Sequence, residues 1–436
     1  MTTATVASTS KMPRSFERAT YLKVTLRILP LLFLSYIVAY LDRVNVGFAK
    51  LQMLNDLKFS ETMYGLGAGV FFIGYFLFEV PSNLILHRVG ARRWIARIMV
   101  TWGLLSAAMM FVTSAEMFYV MRFLLGVAEA GFFPGIILYL TYWYPAARRG
   151  QITALFMTAV PLAGVIGSPL SGWIIERFSG VHGMAGWQWL FLLEGIPSVL
   201  MGIVILLVLD DRVQGAKWLS TEEKSLLARN LVADEQSVQS HSFKEALREP
   251  KVWILSIVYF GIVMGLYGVG FWLPTLIKAT GVKGALDIGL LSAVPYAVAT
   301  VVMVLVGRSA DAHRERRWHL AVPCIVGAIG LVLSAIYSSS TVLALGSLTL
   351  ACAGIMTALP LFWSCPTAFL GGAAAAGGIA LINSLGNLAG FVSPYMVGFI
   401  KDLTQSTDRG MYALSACMLV SAFLVIVAIP ARLVNR

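Results

Sequence analysis

The chain has 436 residues, of which 58% are hydrophobic and only 13% charged. A soluble globular protein carries about 25% charged residues, so this composition excludes a water-facing surface. The formal net charge of +11 would point to nucleic acid in a soluble protein. In a membrane protein the placement of the charges matters more than their sum, and no nucleic-acid partner is expected.

Residues 1–20 are rich in Ser, Thr and basic residues and lack an apolar core, so they do not form a cleavable signal peptide. A membrane-spanning helix needs about 20 mainly apolar residues. Such runs fall at 25–49, 62–86, 94–113, 116–142, 151–177, 187–209, 250–277, 286–308, 318–339, 341–369, 371–401 and 409–433. The expected fold class is therefore an all-α membrane protein of twelve transmembrane helices. The polar stretch 210–249 divides them six and six. Its periodicity suggests short amphipathic helices at the membrane surface. The expected units are an N-terminal bundle over 1–209, a cytoplasmic linker over 210–249 and a C-terminal bundle over 250–436.

Lys and Arg concentrate before the first span, after the even-numbered spans and at the C-terminus. By the positive-inside rule both termini are cytoplasmic, in a cell (inner or plasma) membrane. The four cysteines lie in apolar runs without metal-ligand spacing, and the histidines sit in or beside loops. No disulfide framework, metal site or cofactor is indicated.

The two halves echo each other. A-G-V-I-G-S-P-L-S-G-W-I (Ala163–Ile174) resembles A-G-F-V-S-P-Y-M-V-G-F-I (Ala389–Ile400), and L-H-R-V-G-A-R-R (Leu86–Arg93) pairs with A-D-A-H-R-E-R-R (Ala310–Arg317) at nearly the same offset. Parallel six-span repeats mark a transporter whose substrate binds near the midplane between the halves.

Intramembrane ionisable residues are functional candidates, since a charge at the bilayer centre costs roughly 2.5–3.5 kcal/mol on insertion scales. Asp42, Arg43, Arg122 and Glu129 are the clearest, with Glu79 and Glu194 nearer span ends. Arg122 and Glu129, seven residues apart, share a helix face. So do Asp42 and Asn45. Guanidinium binds carboxylate bidentately and stays charged. An incoming organic anion would compete with Asp42 and Glu129 for Arg43 and Arg122, and protonation of one acid would free an arginine. Asp42 and Glu129 are thus the proton-coupling candidates, and Arg43 and Arg122 the anion-binding ones. Structural alternatives are that Arg122 ties spans together and that Arg43 anchors a membrane end. Glu79 is a candidate gate or loop brace. Asn45, Tyr75, Tyr267, Trp363 and the i,i+4 pair Asn383 and Asn387 complete the substrate-binding candidates, although aromatic residues in membrane helices also serve as packing or interface anchors.

The motifs Y-L-D-R-V-N-V-G-F-A (Tyr40–Ala49), G-Y-F-L-F-E-V-P-S-N-L (Gly74–Leu84), R-F-L-L-G-V-A-E-A-G-F-F-P (Arg122–Pro134) and W-Q-W-L-F-L-L-E-G-I-P (Trp187–Pro197) together resemble the major facilitator superfamily, and within it the anion:cation symporters. The tenth and eleventh spans, with F-W-S-C-P-T-A-F-L-G-G (Phe362–Gly372) and A-L-I-N-S-L-G-N-L-A-G (Ala380–Gly390), look closest to tartrate-like, phthalate-like and hydroxyphenylacetate-like permeases. The first basic loop departs from the superfamily pattern, with Asn83 and His87 where Gly and Asp are usual. The second copy keeps it in Gly307 and Asp311. Arg88, Arg92 and Asp311 in these loops, with Gly164 and Pro169 of a fifth-span glycine–proline motif, are gating or structural candidates. The segment Gly371–Gly378 is expected to be a tight connection, and it lacks the Lys-Ser/Thr ending of a phosphate loop.

The resemblance implies a monomeric, proton-coupled importer of a small organic carboxylate, a hydroxy- or dicarboxylate or sugar acid, with protons and the lipid bilayer as its other partners. The rival on the same fold is an exporter or antiporter of amphipathic or cationic compounds, which two buried arginines disfavour. An enzyme or sensor is not expected, since no nucleotide loop or nucleophile–base constellation is present.

Overall fold

The computed structural model describes residues 14–235, 247–369 and 374–435. Eleven helical segments among them are long and apolar enough to cross a membrane: Arg14–Leu57, Glu61–Val89, Ala91–Phe111, Ala115–Thr141, Arg148–Phe178, Gly186–Val208, Pro250–Ala279, Ala285–His313, Arg317–Ile336, Thr341–Pro366 and Asp408–Ala428. The helix Ala374–Thr404 completes twelve, taken below as the first to twelfth spans, with Ala374–Thr404 the eleventh. Every expected span is present. The connection expected at Gly371–Gly378 lies partly outside the described residues, and the chain is already helical from Ala374. Of the expected linker helices, one is seen at Thr221–Glu235, and 236–246 lie outside the described residues. This helix is tied to the first span by Lys23–Glu223 at 2.8 Å and by Asn230 donating to the Tyr21 hydroxyl at 3.2 Å.

Each bundle packs through small residues, because lipid supplies no hydrophobic drive between helices. Gly126 of the fourth span lies against the Phe71 carbonyl of the second, where a Cβ would overlap it. Between the halves the most extensive contacts join the fifth span to the eighth and the second to the eleventh. Gly172 packs on Ala285, and Gly289 packs on Ser168 and Pro169. Gly164 lies against the Tyr296 ring. These are the close approaches that the glycine–proline motif of the fifth span permits.

With twelve alternating spans, the described chain ends share one face. The polar bridges between the halves gather toward the other, called here the far face. Asp402 accepts from the Glu61 and Thr62 backbone N–H groups and from the Thr62 hydroxyl. Lys401 pairs with Glu61, and Glu61 also pairs with Lys50 at 2.6 Å. Lys278 donates to the Leu51 carbonyl at 3.1 Å, and Leu286 N–H to Glu176 at 3.0 Å. The far seam is closed.

Candidate functional site

Four spans are broken along their length. The first divides at Asn45 into Arg14–Val44 and Val46–Leu57. The fourth divides after Glu129, where Gly131 at φ 83° takes the left-handed turn that a side chain would disfavour. The fifth breaks at Thr158, and the tenth at Trp363, near the end of its membrane segment Thr341–Pro366. Discontinuous helices of this kind are how transporters bring polar groups to the midplane.

The cavity lies between the halves and is nearly closed, with about 40 Å³ of free interior, room for a few waters. It is lined by Tyr36, Tyr40, Arg43 and Tyr75 from the N-terminal bundle and by Tyr259, Tyr267, Asn383 and Asn387 from the C-terminal one, with Phe133, Met157, Val160, Val263, Leu266 and Leu359 as its apolar wall.

Arg43 is its centre. Its Nη2 donates to Glu129 in a buried ion pair, and its Nη1 donates to the Tyr267 hydroxyl of the other bundle at 2.9 Å. The guanidinium carbon stands 5.4 Å from the Tyr75 ring centre and 5.5 Å from that of Phe71. Its Nε–H, also buried, donates to nothing. A second bridge joins Asn383 to Glu79 at 2.8 Å, and Asn387 lies within hydrogen-bonding reach of the same carboxylate. Glu79 was expected near a span end. It stands ten residues, roughly 15 Å, inside its helix.

The structure thus brings Arg43, Glu129, Tyr75, Tyr267, Glu79, Asn383 and Asn387 together. It places the other candidates elsewhere. Asp42 accepts from Trp102 and Ser106, each at 2.9 Å, and from Ser198, all within the N-terminal bundle. Successive helical residues point about 100° apart, so Asp42 turns into the bundle while Arg43 turns to the cavity. Asn45, one turn along from Asp42, borders a separate crevice. Arg122 is fully buried and donates to the Gly67 and Ala68 carbonyls of the second span at 3.4 and 3.3 Å, over the Phe71 ring. It forms no ion pair with a described residue. The four charges are therefore not one cluster: only Arg43 and Glu129 pair. Trp363 packs edge-on to Tyr259 at 4.9 Å and so backs the cavity wall.

At the terminus face, Arg88 is exposed. The Arg92 N–H donates to Asp211 at 2.8 Å, which caps the third span from the start of the linker. Asp311 pairs with Arg316. Sequence reasoning missed Lys50, 4% exposed and 3.3 Å above the Trp272 ring. The first span was expected to end at residue 49, one residue short. It also missed the wall tyrosines Tyr36, Tyr40 and Tyr259, for which the only signal is an aromatic residue on a span's inner face.

A twelve-helix membrane protein of two bundles, with a polar cavity at their joint, is a membrane transporter for a small molecule. This chain belongs to the Major Facilitator Superfamily, whose pattern matches residues 32–394. It is 53% identical to a provisionally named metabolite transport protein, NicT, of Pseudomonas putida, over 96% of each chain. It is 51% identical to a provisionally named tartrate transporter of Agrobacterium vitis, over 93% of this chain and 90% of that one. Among solved structures, a bacterial homolog of the human lysosomal transporter Spinster, inward-facing and occupied, superposes with a TM-score of 0.74 at 16% identity, covering 92% of this chain and 96% of that one. These relatives are transporters, not enzymes.

Proposed function

We propose that the protein imports a small organic carboxylate, a hydroxy- or dicarboxylate of tartrate-like kind or a sugar acid, together with protons across the cell inner membrane. The two bundles, 1–209 and 250–436, would rock about the cavity with 210–249 as linker. The termini would face the cytoplasm, which makes the far face the outer one and this arrangement inward-facing.

One observation carries the reading. Arg43 is the charged group of a cavity lined otherwise by tyrosines and amides, it is neutralised by Glu129, and it keeps an unused N–H. A substrate carboxylate that takes the Arg43 fork displaces Glu129. The displaced acid, buried and without its cation, then favours the neutral form. Anion and proton binding are linked through one guanidinium. Tyr267 and the Asn383–Glu79 bridge carry the event to the other bundle. Tyrosine hydroxyls and amides suit the hydroxyls of a hydroxy acid. Asp42 and Arg122, engaged elsewhere, act on this exchange from a distance. The tartrate naming of a 51% identical relative supports the substrate class.

The test is uptake into proteoliposomes under an inward acid gradient, with tartrate, a sugar acid, phthalate, hydroxyphenylacetate and one lipophilic cation. Gradient-driven uptake of one anion, lost in Arg43→Ala and uncoupled from pH in Glu129→Gln, supports the reading. Cation efflux without anion uptake overturns it.

A further inference from the structure

A further acid lies buried near Asp42, where the exchange at Arg43 does not use it. Glu194 is 2% exposed in the sixth span. Ser171 of the fifth span donates to its Oε1 at 2.6 Å, while its Oε2 is buried without a partner. Asn45 of the first span lies within hydrogen-bonding reach of the same carboxylate. Asn45 and Ser171 also border a narrow crevice between the bundles, about 10 Å³ and so room for one water at most, closed by Gly270, Pro274, Ser292 and Tyr296 of the seventh and eighth spans. The crevice lies on the far-face seam, where Gly172 meets Ala285 and Gly289 meets Ser168.

The charged surroundings are sparse. From the first span Asp42 reaches Glu194 through space, itself held by Trp102, Ser106 and Ser198. The third span offers only the neutral donors Trp102 and Ser106, since Arg92, Arg93 and Arg97 sit at its terminus-face end. Asp56 and Glu176, the other acids nearby, are bound at the far ends to Trp187 and to the Leu286 N–H. Glu194 is the sole ionisable residue of its own span, and no described cation pairs with it. A carboxylate stripped of water and of any cation is costly to keep ionised.

We propose that Glu194 is the proton-loading group of the far face: it ionises when the crevice opens to far-side water and must take up a proton before the seam can close. The step is a proton transfer alone. A proton from far-side water binds Oε2, the carboxylate becomes a neutral acid, and the group enters the dry seam uncharged. By linkage, acid on the far side favours closure. The proposal rests on the proton-coupled reading and adds a second point of proton entry to it, separate from the Arg43–Glu129 exchange. Asn45 and Ser171 are the positioning residues that give water its route.

The test needs no substrate. Spin labels at Val181→Cys and Lys283→Cys, both exposed at the far face on opposite bundles, report the width of the seam in nanodiscs, in a background with the four native cysteines replaced. With Glu194 intact, the closed distance is expected to gain population on acidification, by roughly tenfold in closed over open. Glu194→Gln, which mimics the protonated acid, is expected to stay closed and flat with pH. A Glu194→Gln seam that follows pH as the parent does overturns the proposal, and so does a parent seam indifferent to pH. Should Glu194→Gln fail to fold, Glu194→Asp keeps the acid one methylene shorter and must move the midpoint of the response; an unmoved midpoint overturns the proposal. Missing anion uptake beside a pH-driven seam would instead refute the substrate reading and leave this one standing.

Discussion

Arg43 and Arg122 are both buried, both arginine and both near Phe71, yet their surroundings separate their roles. Arg43 faces a cavity and pairs with the Glu129 carboxylate, which the proposed exchange displaces. Arg122 holds two backbone carbonyls of the second span, at Gly67 and Ala68. Arg43→Lys keeps the charge but loses the planar fork. It is expected to raise the KM for tartrate by at least about tenfold, with little change in thermal unfolding. Arg122→Lys is expected to do the reverse. Hydrogen bonds from a charged donor are worth about 1.5–3 kcal/mol each, so the Tm in detergent should fall by several degrees while KM stays within about twofold. Equal KM effects from the two would mean that both arginines bind substrate. The four charges were legible in the sequence because they interrupt apolar runs. Their pairing was not, because which of two acids meets Arg43 depends on how the first and fourth spans are rotated against each other. Lys50 escaped for a related reason: the polar run Asp42–Arg43–Val44–Asn45 looks like a helix end, whereas the helix resumes after one residue and carries Lys50 into the seam.

At the scale of the element, helix ends are where charge is used outside the membrane. The ninth span starts at Arg317, and Glu315 caps it. Partial burial works against the charge on Glu315. The N–H groups of Trp318 and His319, the His319 ring and the Asn435 amide outweigh it and hold the carboxyl below its usual range. A group with a depressed value in the folded state stabilises the fold above its unfolded value and loses that contribution as pH falls through the folded one. Glu315→Ala is therefore expected to cost about 1 kcal/mol near neutral pH, and the gap to the parent should close below about pH 4. Thermal unfolding across pH checks it, and a gap that widens in acid would contradict the assignment. The spans were legible because twelve apolar runs leave little else for the chain to do in lipid. The cap was not, since it requires the C-terminal Asn435 to fold back onto the loop before the ninth span.

For the whole molecule, if the two bundles rock as proposed, what joins them at the far face decides how readily the seam opens. Two bridges there differ in kind. Asp402 of the eleventh span sits on the first turn of the second span, where free backbone N–H groups and the helix dipole favour a negative charge. Lys401, next in sequence, pairs with Glu61, which also holds the buried Lys50 over the Trp272 ring. Lys50 and Glu61 belong to one bundle and can stay paired through the cycle. Lys401–Glu61 and the Asp402 cap are thus two of the contacts that must break on opening, beside Lys278 on the Leu51 carbonyl and the Leu286 N–H on Glu176. Asp402→Asn retains an acceptor but loses the charge, and a partly exposed cap or ion pair of this kind contributes about 0.5–1 kcal/mol. Together Asp402→Asn and Lys401→Gln should lower the closed-to-open ratio of the Val181/Lys283 label pair by about five- to tenfold. The double variant should keep the pH dependence assigned to Glu194, because neither substitution touches the crevice behind Asn45. A double variant as closed as the parent would place the latch in the apolar contacts of the fifth and eighth spans instead. One that opens but loses its pH response would mean that acid acts at the latch and not at Glu194. The seam distance measured in three proteins, parent, double variant and Glu194→Gln, therefore separates what holds the far face shut from what senses the proton.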